Sequence, residues 1–157
     1  MRRIAMSCLT AAIVLAACAS PGPGDLKPGA TTAEITAQMG SARATYALPN
    51  GGKRLEFPRG PRTYMVDVDA SGRFVEWSQV LTEYNFRNVV PDMTREQLLM
   101  TLGQPSNIAP GGRQGGQVWS YNFQNTQCQW FQVAIGDDGR TSSGGALAML
   151  PACMNAP

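Results

Sequence analysis

The chain contains no histidine. General acid-base chemistry near neutral pH usually recruits imidazole, and a serine or cysteine nucleophile needs such a base beside it, so the usual hydrolase constellations are missing. Cysteine is scarce as well, with four residues in 157. Without histidine, two or three thiols do not complete a zinc site. Charged residues make up only 15%, and the formal net charge is +2, too little for an electrostatic case for nucleic acid. No apolar run reaches the roughly 20 residues that span a bilayer. An enzyme, a metal protein, a nucleic-acid binder and a membrane-spanning protein are therefore all disfavoured, and no cofactor is expected.

What is present at the amino terminus is more telling. Arg2 and Arg3 precede an apolar stretch over residues 4–15, which ends in Leu15, Ala16, Ala17 and Cys18. A basic start, a short apolar segment and small residues before a cysteine form the three-part build of a secretory signal with a lipobox. Residues 1–17 read as a lipoprotein signal peptide and Cys18 as the lipidated residue. Diacylglyceryl and palmitate-type acyl chains on that residue would anchor the protein stably, since two chains hold where one does not. Ala19 in place of aspartate favours outer-membrane sorting by the enteric rule. Cys8 follows too short an apolar segment to serve and would leave with the signal peptide. Cleavage would leave 140 residues with eleven basic and eleven acidic side chains.

Residues 18–31 then read as a flexible linker, rich in Pro and Gly and without hydrophobic periodicity. Its extended reach is about 45 Å. Cys128 and Cys153 remain as an even pair in a compartment that permits disulfides, and they are predicted to bond. Cys128 falls in a strand-like run and Cys153 in a tail expected to have little structure of its own. A closed loop of about 25 residues is worth roughly 3 to 4 kcal/mol in the chain-entropy model.

The body repeats itself. PGATTAEITAQMG at 28–40 aligns without a gap on PDMTREQLLMTLG at 91–103. Each copy implies a two-turn helix, capped by Thr31 or Thr94, with Ile35 and Met39 or Leu98 and Leu102 on one face, and a left-handed stop at Gly40 or Gly103. Strand signals follow at 43–48, 53–57, 63–68 and 73–80, and again at 106–109, 117–123 and 127–135. The turn DASG at 69–72 matches GDDG at 136–139. Residues 81–90, with Thr82 as a cap, suggest an extra helix in the second unit. The expected fold is α+β: two tandem units of a short helix or helix-turn-helix followed by a small antiparallel sheet, over 32–80 and 81–157.

The run LTEYNFRNVVPDMTREQLLMTLGQP at 81–105, followed by VWSY at 118–121 and a strand hairpin, resembles the BamE/SmpA/OmlA lipoprotein family. The shared pattern is an apolar helix, a G-M-T-type turn and an L-G-x-P end. Asp92 stands where the family carries glycine, and the segment before Gly40 looks like a second copy where single-domain members have one. The tandem layout is also similar to the beta-lactamase inhibitory proteins, with two helix-plus-sheet repeats and a concave binding face. The first resemblance implies an outer-membrane lipoprotein on the periplasmic side, a non-enzymatic scaffold supporting barrel-protein assembly or envelope integrity. The second implies, as an alternative, a binding or inhibitory module for a periplasmic enzyme.

Two local patterns imitate ligand loops. DVDASG at 67–72 opens like a calcium loop, but position twelve is Ser78 rather than glutamate, so it reads as a hairpin turn. GGRQGG at 111–116 lacks the lysine of a phosphate loop and reads as a mobile connection. The strand aromatics Trp77, Trp119, Trp130, Tyr64, Tyr121, Phe57, Phe123 and Phe131 are mainly core candidates. Tyr84 and Arg87 are the candidate exposed partner contacts. Arg59 and Arg62 read as a solvated loop, with contact to lipid headgroups as the alternative.

Overall fold

Thr31 starts the first helix by a reciprocal pair of bonds. Its hydroxyl accepts from the Glu34 amide at 3.3 Å, and its own amide donates to the Glu34 carboxylate at 2.7 Å. Both satisfy amide groups that a helix start leaves orphaned. The computed structural model describes residues 22–154, and in it α1 (Thr32–Met39) is followed by β1 (Ala44–Ala47), β2 (Lys53–Arg59), β3 (Arg62–Val68) and β4 (Phe74–Gln79). These strands form one antiparallel sheet in chain order. Alternation puts Leu55, Phe57, Val66 and Val68 on one face, where Ile35 and Met39 of the helix bury against them. β2 runs through Pro58, which the sequence assigned to a turn. The strand tolerates it because β1 pairs only with residues 53–56, so the missing amide faces no neighbour.

The second half begins with the one-turn helix α2 (Glu83–Phe86) and α3 (Arg95–Leu102). It continues with β5 (Asn107–Pro110), β6 (Gln117–Asn122), β7 (Gln129–Ile135), β8 (Ala146–Met149) and the terminal turn of helix α4 (Pro151–Met154). Thr94 and Gln97 cap α3 as Thr31 and Glu34 cap α1. The second sheet is again antiparallel in chain order. Its inner face carries Trp119, Tyr121, Phe131, Val133 and Ile135 against Leu98, Leu102, Phe86 and Val89. The architecture is thus α+β, two four-stranded antiparallel sheets and four short helices, and among the described residues no helix is long and apolar enough to cross a membrane.

Asp92, at the turn before α3, takes a left-handed φ of 66°. Thr141, fully buried, holds that turn: its hydroxyl donates to the Val90 carbonyl at 2.6 Å and accepts from the Met93 amide at 2.9 Å.

The two halves meet through the second face of the first sheet. Arg54 forms a bidentate pair with Asp67, both contacts at 2.7 Å, and donates to the Met100 carbonyl in the last turn of α3 at 2.9 Å. The Asp67 bonds hold the Arg54 guanidinium firmly charged. Glu56, completely buried, accepts from the Gln104 amide at 3.1 Å and from the Tyr46 hydroxyl at 2.6 Å. A guanidinium at a helix C-terminus suits the helix dipole. Burial, reinforced by the Glu56 bond, pushes the Tyr46 hydroxyl upward and keeps it protonated.

Three expectations need correction. The linker assigned to residues 18–31 touches the fold at points within 22–31: Pro23 is buried, Leu26 packs on the first core, and Gln38 donates to the Gly22 carbonyl at 3.1 Å, while residues 24, 25 and 27–29 are exposed. The tail is ordered over residues 146–154, since β8 pairs with β7 over four residues and the Leu150 amide donates to the Cys128 carbonyl at 2.9 Å. Residues 111–116 close the β5–β6 hairpin around a 3-10 turn, with the Gly111 amide on the Gly116 carbonyl at 3.0 Å, rather than forming a loose connection.

Candidate functional site

Thr82 caps α2 through the Asn85 amide at 3.2 Å, and the Asn85 side chain donates back to the Gln79 and Val80 carbonyls at 3.3 and 3.2 Å. This pins a helix too short to be stable alone. Phe86 faces inward, stacked on Phe131 with centroids 4.1 Å apart and edge-on to Phe123 at 4.9 Å. With the turn fixed and Phe86 inside, Tyr84 and Arg87 must point out. Tyr84 is 76% exposed.

Beside them lies a groove of about 320 Å³ lined by Glu83, Phe86, Arg87, Val89, Phe131, Gly145 and Leu147. Gly145 leaves room there that no other residue would, because a Cβ would fall 2.0 Å from the Phe131 ring. Val90, Leu147 and Met149 add exposed apolar surface near the groove. Aromatic and arginine side chains around an apolar depression, with a carboxylate at the rim, are the composition of a protein-contact hot spot. The sequence places Tyr84 and Arg87 at the surface, where both lie, but does not show the groove, whose far wall is β8, a strand the sequence did not announce.

No family model matches the chain, and no curated protein matches it. Among solved structures, a cysteine-rich secretory protein from Staphylococcus aureus shares 11% identity at a TM-score of 0.31, covering 78% of this chain. This chain spans only 43% of that protein. A DUF4309 family protein from Bacillus subtilis shares 16% identity at a TM-score of 0.30, with 77% and 79% of the two chains covered. Likeness at this level assigns neither family nor activity.

The other sequence candidates divide. Cys18 lies outside the described residues. Cys128 and Cys153 are disulfide-bonded, Cα atoms 6.4 Å apart, tying the terminal helix to the start of β7. The calcium-like segment has its carboxylates engaged: Asp67 with Arg54, and Asp69 with the Ser71 amide and hydroxyl and the Arg73 amide. Most of the strand aromatics are core, whereas Trp130 and Tyr64 are half-buried and Trp77 is 42% exposed.

Acid sensitivity follows from two carboxylates. The Thr31 backbone bond chiefly lowers Glu34, and the Arg73 backbone bond chiefly lowers Asp69. A carboxylate lowered by folding stabilises the fold above its ordinary pKa and loses that contribution as pH falls through the lowered one. Thermal melts should therefore change little across about pH 6 to 8, where histidine would titrate, and fall below about pH 4. Asp69→Asn should flatten the acid limb, and an unchanged limb would remove Asp69 from the account.

Proposed function

We propose that the protein is a lipid-anchored, non-enzymatic envelope scaffold, similar to the BamE/SmpA/OmlA lipoproteins, held by Cys18 at the periplasmic face of the outer membrane. It uses the α2 surface to bind a protein partner, in the first place a component of the barrel-assembly machinery. The two halves are read as copies of one unit. Each carries a threonine-capped eight-residue helix that ends at glycine, preceded in the second half by α2, and each continues into a four-stranded sheet of the same order. Isolated bridges tie Thr31 to Arg73 and Thr94 to Arg140 at corresponding places. The observation that carries the binding reading is the Tyr84–Arg87 surface, where a one-turn helix is braced from below yet presents its largest side chain to solvent.

The inhibitor-like alternative has less support. It calls for one concave face built from both sheets, whereas the end of α3 sits on the first sheet through Arg54 and Glu56.

The test is a gentle-detergent pulldown of the acylated protein with identification of bound proteins by mass spectrometry. Barrel-assembly components should be recovered, and Tyr84→Ala with Arg87→Ala should lower that recovery at least tenfold, with the melting temperature unchanged. Hot-spot truncations of about 2 kcal/mol or more set that scale. Recovery of a single unrelated periplasmic enzyme, insensitive to both substitutions, would overturn the scaffold reading.

A further inference from the structure

Gly22 fixes where the chain enters the fold. Its carbonyl is held by Gln38, near the C-terminal end of α1, and Pro23 is buried immediately after it. Three residues separate Gly22 from Cys18, so the lipidated residue lies at most about 14 Å away, whatever path the chain takes.

The surface at that entry point has a distinct composition. Gly22 lines a groove of about 590 Å³ with Arg59, Pro61, Arg62, Tyr64 and Gln124. Arg59 and Arg62 face each other across the tip of the β2–β3 hairpin. Arg59 is braced on the Met39 and Pro58 carbonyls, which fixes its charge over the end of α1. Arg62 is exposed and steadied by Gln124, its Nε donating at 2.7 Å. Trp77 stands edge-on to Tyr64, centroids 5.8 Å apart, with 42% of its surface exposed.

Of the acidic groups of the first half, exposed Asp25 closes the turn just after Gly22 and exposed Glu76 neighbours Trp77, while the others lie away from the hairpin tip. Asp69 is in the turn at the opposite end of β3, and Glu34 sits at the start of α1, where Thr31 bridges Arg73 beside that same turn. Glu56 and Asp67 are buried in the junction between the halves. Arg59, Arg62 and Tyr64 thus stand at the end where the chain enters, and Trp77, paired with Val66 further along the sheet, reaches toward them through its edge contact with Tyr64.

From this we infer that the β2–β3 end of the first half is the membrane-facing surface: Arg59 and Arg62 meet phospholipid phosphates while Tyr64 and Trp77 lie at headgroup depth. The inference rests on the lipoprotein reading and adds an orientation to it. A 14 Å tether keeps both guanidinium groups close to one Debye length from the headgroups, about 10 Å at 0.1 M salt. Arginine with tyrosine and tryptophan is the side-chain chemistry that suits the interfacial layer, where a polar tip and an apolar body are both satisfied. Near an anionic leaflet each arginine shifts the docked-to-undocked ratio about fivefold.

The experiment uses the full-length, acylated protein reconstituted into vesicles of phosphatidylethanolamine and phosphatidylglycerol carrying bromine on the acyl chains near the headgroups. Acylation is read from the mass of the amino-terminal peptide and anchoring from vesicle flotation. Docking is read from bromine quenching of tryptophan emission. Quenching should be present, should disappear in Trp77→Phe, and should fall in Arg62→Glu at low salt, where reversing one charge lowers the docked ratio roughly twentyfold. Both sites are at the surface, and unchanged melting curves confirm the fold of each variant. An acylated, floating protein with no Trp77 quenching overturns the orientation and leaves the lipoprotein reading standing. Quenching that survives Arg62→Glu at low salt also overturns it. A protein neither acylated nor floating overturns both.

Discussion

Replacing Cys18 with serine should abolish membrane retention and leave an unprocessed precursor or a soluble product. On the lipoprotein reading, lipidation would begin at that thiol and signal cleavage would follow it, so a hydroxyl in its place would block both steps at once. The apolar stretch cannot substitute as an anchor, because it falls short of the roughly 20 residues a spanning helix needs. Nor can the folded part hold the membrane by itself: a few interfacial arginines give weak, salt-sensitive attraction, whereas two acyl chains give stable anchoring. Fractionation with intact-mass measurement reads the result. Wild-type protein should pellet with membranes and carry an acyl mass, and the serine variant should do neither. Normal fractionation of the variant would remove the anchoring claim.

The second large effect concerns the glycines that end the two capped helices. Gly40 has φ 76° and ψ −172°, and Gly103 has φ 80° and ψ −167°. The expected left-handed stop is thus a positive-φ extended residue, a region used essentially by glycine alone. The two sites share a backbone but not surroundings. Around Gly40 a Cβ would meet nothing within 4 Å, whereas at Gly103 it would fall 2.9 Å from the Glu56 carboxyl carbon and 3.1 Å from the Met65 methyl. Gly40→Ala should therefore cost only the backbone strain, about 2 kcal/mol. Gly103→Ala should cost about 4 kcal/mol, because overpacking at the buried junction adds a similar amount. For a domain of this size that lowers the melting temperature by roughly 15 °C. Equal losses at the two positions would mean that the junction relaxes freely and that Glu56 does not fix how the halves meet.

The capped helices and the long strands were legible because their signals are local. A threonine three residues before Glu34 or Gln97 is a capping box whatever surrounds it, and the aromatic, β-branched strands pair with neighbours close in the chain. What was not legible depends on distant partners. Ala146, Leu147, Ala148 and Met149 favour helix by composition, and they become β8 because the edge of β7 offers them a ladder. Pro23 and Leu26 lie in a stretch with no periodicity, yet they dock, since burying two side chains needs no repeat. Strand alternation puts Arg54 and Glu56 on the face opposite Leu55 and Phe57. Only the folded chain shows that the face they share carries the end of α3. For the candidate surface the same division holds: the exposed Tyr84 and Arg87 follow from α2 itself, whereas the groove beside them needs Gly145 and Leu147 from the far end of the chain.

The pairing of Arg54 with Asp67 also bears on how many units such a chain can hold. If the halves are copies, the first sheet acts as a cradle for the helix that comes next, and nothing in that plan limits growth to two. The second sheet presents the corresponding face with Val118 beside Ala134 and Ser120 beside Gln132, where the first has Arg54 beside Asp67 and Glu56 beside Met65. A helix end arriving there, from a third unit or from a neighbouring molecule, would find no guanidinium for its carbonyls and no carboxylate for its trailing amide. On that plan, replacing the charged groups that hold the end of α3 by neutral side chains turns a cradle into an end cap.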